Sequence, residues 1–84
     1  MRLVFAESAW QDYLYWQKQD RRMVERINTL IRETQREPFA GIGKPEPLKH
    51  ALAGYWSRRI TDEHRMVYRM EGDALLIAQL RYYY

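Results

Sequence analysis

The chain has 84 residues, of which 46% are hydrophobic and 30% are charged, and it contains no cysteine. A chain of this length forms one domain with a single core, and without cysteine neither a disulfide framework nor a thiolate metal site can be drawn. The formal net charge is +3, and the basic excess lies in residues 38–84, which hold seven basic and five acidic side chains. This balance is compatible with a polyanionic partner but does not require one.

The sequence contains no feature of a membrane protein or a secreted protein. No apolar run approaches the roughly 18 residues of a membrane span, and the first ten residues, MRLVFAESAW, lack the apolar region of a signal peptide. We therefore expect a single domain over residues 1–84 that is soluble and cytoplasmic and has no membrane partner.

The first elements predicted are a short strand and a helix. Residues 2–5 form a β-prone run, and Ser8 followed by Gln11 has the spacing of a capping box that opens a helix. The apolar face of this first helix is predicted to consist of Trp10, Tyr13 and Leu14.

A second helix is predicted to begin after Asp20 as its N-cap and to end before Pro38. Its apolar residues follow a helical period closely, so one face should enter the core. These residues are Met23, Val24, Ile27, Leu30, Ile31 and Thr34. The two helices would form an antiparallel hairpin, and their interleaved arginines and glutamates are interpreted as a solvated surface.

Residues 38–47 hold all three prolines and two of the four glycines, which predicts a loop. Its two glycines lack the lysine–serine pair and the strand-to-helix context of a phosphate-binding loop. Three β segments follow, at residues 55–61, 65–70 and 74–82, and they are joined by turns. The sequence thus predicts an α+β fold in which helices pack on one face of an antiparallel meander.

Alternation along these strands predicts an apolar face at even positions and a polar face at odd positions, where several arginines gather. There are exceptions to this alternation. Arg58 is a charged residue at an even position, and three apolar residues occupy odd positions: Val67, Leu75 and Ile77. Shifts of strand register must therefore be allowed. The arginines of the polar face either bind an anionic ligand or form ordinary ion pairs with Asp62, Glu63 and Glu71.

Glu46 is the most unusual acid in the chain because it lies between Pro45 and Pro47. Both prolines have a fixed φ and no N–H, so the carboxylate is presented on a stiff, non-helical segment. Basic side chains surround it in the sequence between Lys44 and Arg65, and a rigid acid among cations suggests a chemical role.

The order of these elements, together with three sequence motifs, resembles the YoeB-type toxins of the RelE/ParE superfamily. The motifs are WQDYLYW in the first helix, GKPEPLKHALAGYWSRRITDEHRMVY across residues 43–68, and the C-terminal Arg-Tyr-x-Tyr. The resemblance covers essentially the whole chain. It implies a RelE-like, microbial-RNase-type α+β fold, with a short N-terminal strand and a helix hairpin on one face of a small, mainly antiparallel sheet.

The resemblance also implies an activity, that of a ribosome-dependent mRNA endoribonuclease, or mRNA interferase, which inhibits translation. The family glutamate matches Glu46, the expected general base for the ribose 2′-OH, and the family arginine matches Arg65, which would stabilise the charged transition state. Lys49 and Arg59 match basic positions near the scissile phosphate, and Tyr84 could stack on a nucleobase or merely close the apolar face. No metal and no cofactor are expected.

The C-terminus departs from the family pattern, because Tyr83 stands where the family has the histidine that protonates the leaving oxygen. A phenol with an unperturbed pKa of about 10 can donate a proton at pH 7, but it matches that pH less well than imidazole. Three interpretations of Tyr83 are open: it acts as the general acid, it replaces the histidine at the cost of a lower toxin activity, or it stacks on a nucleobase. We favour the first interpretation.

The expected partners are mRNA in the ribosomal A site, the ribosome and a YefM-like antitoxin, with operator DNA bound only through the toxin–antitoxin complex. Family members often form homodimers, although no interface is readable here. Two alternatives remain. The chain could be a catalytically weakened or inactive binding protein, acting as an operon co-repressor or a ParE-like inhibitor, or it could be a small α+β interaction module.

Overall fold

Two helices and a five-stranded sheet make up residues 1–82, which are the residues that the computed structural model describes. The strands are β1 (Arg2–Phe5), β2 (Glu46–Pro47), β3 (Trp56–Arg59), β4 (Arg65–Glu71) and β5 (Ala74–Gln79), and the helices are α1 (Glu7–Gln19) and α2 (Arg21–Arg36). The sheet order is β1-β5-β4-β3-β2, with β1 parallel to β5 and the other pairs antiparallel. The predicted α+β fold is confirmed.

The predicted strands and the second helix are largely right. Asp20 caps α2, since its Oδ1 accepts from the backbone N–H of Arg22 at 3.0 Å. The periodic residues of α2 enter the core as predicted, except that Val24 is half-buried. In the described residues neither helix is long and apolar enough to cross a membrane.

The predictions for α1 were wrong at two points. Ala6 is the N-cap and makes no side-chain capping bond, while the Ser8 hydroxyl donates instead to the carbonyl of Ala78 at 3.1 Å. The buried residues of α1 are Ala9 and Trp16; of the predicted face only Tyr13 packs against the core, whereas Trp10 is 45% exposed and Leu14 is exposed too. Aromatic and aliphatic residues occupy much of the circumference of this helix, so periodicity alone could not identify the face that packs on the sheet.

The parity prediction holds for β3 and β4 but reverses in β5. Tyr68 pairs with Ile77 and Met70 pairs with Leu75, so these odd residues of β5 share the core face with the even residues of β4. Ala78 is then an extra residue at a bulge, after which Val67 pairs with Gln79. The bulge returns Gln79 to the polar face, because one inserted residue restores the original alternation.

Arg58, which broke the parity rule, is completely buried and fastens the proline- and glycine-rich loop to the core. Its guanidinium donates to three loop carbonyls, those of Glu37 (2.5 Å), Ala40 (2.8 Å) and Ile42 (2.9 Å). Its Nε donates to the hydroxyl of Tyr68 at 3.2 Å, and that hydroxyl donates to the carbonyl of Pro38 at 2.7 Å. The loop that leads to Glu46 is therefore anchored from beneath.

Burial raises the pKa of the Tyr68 phenol above its usual value, although the hydrogen bond and the charge of Arg58 act in the opposite direction. The folded protein thus holds this proton more tightly than the unfolded chain. Its contribution to stability is complete below the ordinary tyrosine pKa of about 10 and is lost as the pH rises through the folded pKa.

We therefore expect the wild-type protein to lose stability more steeply than Tyr68→Phe, which has no phenol to ionise, as the pH rises above about 10. Urea unfolding midpoints across this range measure the difference. The same slope in both proteins would contradict the assignment, and Tyr13→Phe, which alters a half-buried tyrosine with a hydrogen bond to Asn28, is the matched control.

Candidate active site

The polar face of the sheet, opposite the helices, brings together three of the six candidate site residues, Glu46, Arg59 and Arg65. Strand register aligns one row across four strands, with Glu46 opposite Ser57, Ser57 opposite Val67 and Val67 opposite Gln79. In β3 and β4 the next outward row is Arg59 opposite Arg65. A carboxylate and two guanidinium groups that are far apart in the sequence thus share one face.

Glu46 lies in β2, a two-residue edge strand, and its backbone pairs with Ser57. The residue is exposed. The stiff presentation inferred from Pro45 and Pro47 is therefore reinforced by pairing with β3. Since strands are about 4.8 Å apart and residues rise about 3.3 Å along a strand, the α-carbons of Glu46 and Arg65 are roughly 12 Å apart. The exposed Glu46 side chain can therefore approach an anion bound on this face of the sheet.

Lys49 follows β2 and precedes a short 3₁₀ turn, His50–Leu52. Its side chain is exposed, and a groove of about 400 Å³ runs beside it, lined by Glu46, Pro47, Leu48, Lys49, His50 and Leu52. This groove is open to solvent and combines one carboxylate, Glu46, and two basic side chains, Lys49 and His50, with apolar walls. It can accept a nucleotide next to Glu46.

The two arginines of the outer row are held differently. Arg59 is exposed, and its Nη1 lies 3.9 Å from the carboxylate of Asp62. Arg65 is only 4% exposed, and its Nη1 donates to the carbonyls of Thr61 (2.7 Å) and Asp62 (2.8 Å). Arg65 therefore has a fixed position under the β3–β4 turn, whereas Arg59 can swing toward a bound anion.

The alternative that the arginines form ordinary ion pairs is right in part. Arg59 pairs loosely with Asp62, and Arg69 pairs with Glu71 at 2.6 Å. Arg65 instead donates to the backbone carbonyls of Thr61, Asp62 and His64. Exposed ion pairs are worth only about 0–1 kcal/mol, so a phosphate can displace Asp62 from Arg59 at little cost.

The C-terminal residues reach this face as far as Tyr82. The carbonyl of Tyr82 accepts from the backbone N–H of Arg65 at 3.1 Å and from Nε2 of Gln79 at 3.1 Å. Tyr83 and Tyr84, the predicted acid and stacking residue, lie outside the described residues. Among residues 1–82, no three His, Asp or Glu side chains converge in a way that could hold a metal ion.

Comparison with known proteins identifies the family. The model of the YoeB-like toxins of bacterial type II toxin–antitoxin systems matches residues 5–84. The chain belongs to this family. The YoeB toxin of Escherichia coli strain K12 is 61% identical over 84 residues, which is the full length of both chains.

Solved structures agree with this YoeB-like assignment. A YoeB/ParE toxin from Agrobacterium tumefaciens superposes with a TM-score of 0.96 at 59% identity and covers all of both chains. The toxin in a heterotetrameric YoeB–YefM toxin–antitoxin complex from Staphylococcus aureus has a TM-score of 0.92 at 44% identity, covering 100% of this chain and 98% of that one.

Two groups of residues near the site were not assigned a role in it from the sequence. Arg58 anchors the loop before Glu46. The only feature of the sequence that pointed to it was its even position, on the apolar side of the predicted β3 strand. Asp12 and Trp16 of α1 hold the chain after β5 by bonding the N–H and the carbonyl of Leu80. Nothing in the sequence pattern of an amphipathic helix distinguishes such contacts from ordinary exposure or core packing.

Proposed function

We propose that this protein is a ribosome-dependent mRNA endoribonuclease that cuts mRNA in the A site and so inhibits translation. Its substrate is the ribose phosphate backbone of the mRNA, and it needs no cofactor. Because it belongs to a type II toxin family and resembles the toxin in a YoeB–YefM complex, we also propose that a YefM-like antitoxin neutralises it in the cytoplasm. Operator DNA would be bound only through that complex.

In the proposed reaction the Glu46 carboxylate takes the proton from a ribose 2′-OH, and the freed oxygen attacks the adjacent phosphorus. The bond to the 5′-oxygen of the next nucleotide breaks, leaving a 2′,3′-cyclic phosphate. Arg65, assisted by Lys49 and Arg59, stabilises the negative charge that builds on the phosphoryl oxygens. Tyr83 supplies the proton to the departing 5′-oxygen, and Tyr84 stacks on a neighbouring base.

The observation that carries the proposal is the strand register, which aligns Glu46 with Ser57 one row away from the Arg59–Arg65 pair. This displacement needs a base on one side of the phosphate and positive charge on the other. The limited mobility of Arg65 supports the same role, since a preorganised donor loses little on meeting the transition state.

The test is primer-extension mapping of mRNA on programmed ribosomes in a purified translation system. The proposal requires a cut inside the A-site codon that depends on both the toxin and the ribosome. If the protein binds ribosomes or antitoxin without cutting, it is the non-catalytic binder of the alternative hypothesis. If it neither cuts nor inhibits growth when expressed, it is a plain interaction module.

Tyr83→Phe is expected to reduce the cleavage rate by about 10²-fold, the low end for loss of a general acid, because phenol is poorly matched to neutral pH. Tyr83→His should raise the rate above that of the wild type. Single-turnover cleavage on programmed ribosomes measures both variants. Near-normal cleavage by Tyr83→Phe would remove the phenol from the mechanism and leave the stacking interpretation.

A further inference from the structure

We propose that His64 is a positioning residue that locks the C-terminal segment, residues 80–82, in place so that the last side chains meet the substrate. This inference rests on the proposed function, because it assigns His64 a part in delivering the general acid. His64 belongs to neither the catalytic nor the phosphate-binding residues of the proposed function.

The imidazole of His64 accepts a hydrogen bond at Nδ1 from the backbone N–H of Tyr82, at 2.7 Å. A nitrogen that accepts this bond carries no proton, so the contact selects the neutral ring with its hydrogen on Nε2. The side chain is only 12% exposed, and the ring packs edge-on against Trp16 with centroids 4.8 Å apart. The acceptor is therefore fixed in direction by packing.

The segment that His64 holds has already left the sheet, since β5 ends at Gln79. The backbone groups of Leu80 and Tyr82 nevertheless have hydrogen-bond partners. Asp12 Oδ2 accepts from the N–H of Leu80 at 3.0 Å, and Trp16 Nε1 donates to the carbonyl of Leu80 at 2.9 Å. The N–H of Tyr82 is bonded by His64 and its carbonyl by the N–H of Arg65. The last of these bonds ties the segment directly to the proposed phosphate-binding arginine.

The backbone of Tyr82 needs such support. Its φ is +65°, a left-handed conformation that an L-residue other than glycine, asparagine or aspartate seldom adopts. A conformation of this kind persists only where surrounding contacts determine it. The Tyr82 side chain is 55% exposed; its hydroxyl accepts from Arg81 at 2.9 Å and its ring lies 5.5 Å from that of His64, while the bonds to its N–H and carbonyl hold the backbone directly. The chain enters the proposed acid, Tyr83, directly from this residue.

Two matched variants separate the hydrogen bond from the packing of the ring. His64→Phe keeps an aromatic ring against Trp16 but offers no acceptor to Tyr82. His64→Asn loses most of the ring but places an amide oxygen close to the position of Nδ1, so it can still accept. If His64 acted only by filling space, phenylalanine would be the better substitute. If it acts as a hydrogen-bond acceptor, asparagine would be the better substitute.

The experiment measures two quantities for the wild type and both variants. The first is hydrogen exchange of the Tyr82 amide by NMR, which needs no activity. The second is single-turnover cleavage on programmed ribosomes as a function of toxin concentration. We expect His64→Phe to lose protection at Tyr82 and to cleave about tenfold more slowly at saturation, the factor for one lost hydrogen bond, with an unchanged half-saturating concentration. His64→Asn should recover most of both.

The proposal is overturned if the Tyr82 amide is as protected in His64→Phe as in the wild type, or if His64→Asn exchanges and cleaves like His64→Phe. A urea unfolding midpoint close to the wild-type value shows that each variant is folded. If the wild type does not cut mRNA at all, the proposed function fails, while the exchange measurement still decides whether His64 holds the segment.

Discussion

Glu46→Gln is expected to slow cleavage of A-site mRNA by about 10²–10⁴-fold, the range for losing a positioned general base. The amide has nearly the shape of the carboxylate, so strand β2 should keep its pairing with β3, but it cannot take the proton from the 2′-OH. The effect should therefore lie in the rate of the chemical step. Binding to the ribosome and to the antitoxin should change little.

Single-turnover cleavage on programmed ribosomes measures this loss, and sedimentation with ribosomes measures binding. Glu25→Gln is the matched control, because Glu25 is an exposed acid on α2, away from the polar face of the sheet. It should cut like the wild type. Cleavage by Glu46→Gln at the rate of the Glu25→Gln control would show that the 2′-OH proton goes elsewhere.

Arg58→Met is expected to cost about 3–5 kcal/mol of unfolding free energy, a large share of the 5–15 kcal/mol of a typical domain. The methionine side chain fills part of the space, but the loop carbonyls of Glu37, Ala40 and Ile42 lose their shared donor. Urea unfolding measures the loss. Arg58→Lys should also be destabilised, since one ammonium group cannot reproduce the planar fork of donors.

Arg59→Met provides the control for Arg58, because the two are neighbours in β3 and differ in burial. Arg59 is exposed, so its replacement should alter stability by no more than about 0.5 kcal/mol. Equal effects of the two substitutions on the unfolding midpoint would contradict the anchoring role of Arg58. A protein with Arg58→Met that remains folded should also cleave more slowly, because the loop that presents Glu46 would be loosened.

The parts of the fold that the sequence predicted well are those governed by local rules. Helix α2 has a continuous 3.6-residue pattern and a side-chain cap at Asp20, and both are properties of neighbouring residues. The turns around residues 61–64 and 71–73 likewise predicted the meander. Glu46 was singled out because its flanking prolines constrain the backbone wherever the segment lies in the fold.

The predictions that failed depended on which surfaces meet in three dimensions. Helix α1 is apolar on several sides, so only contact with the sheet decided that Ala9 and Trp16 would be buried. The reversal in β5 follows from the β4–β5 register and a single bulge, neither of which has a sequence signature of its own. The buried position of Arg58 requires a loop that is distant in sequence to offer its carbonyls.

The sequence by itself determined the family, the order of the elements and the identities of the proposed catalytic groups, because motifs and local periodicity are written in adjacent residues. Only the tertiary structure decided that Glu46 shares one face with Arg59 and Arg65. It also decided that turn carbonyls hold Arg65 and that His64 accepts a hydrogen bond from the backbone N–H of Tyr82. Those facts depend on strand pairing and on hydrogen bonds between distant residues. Such contacts form only when the whole domain packs.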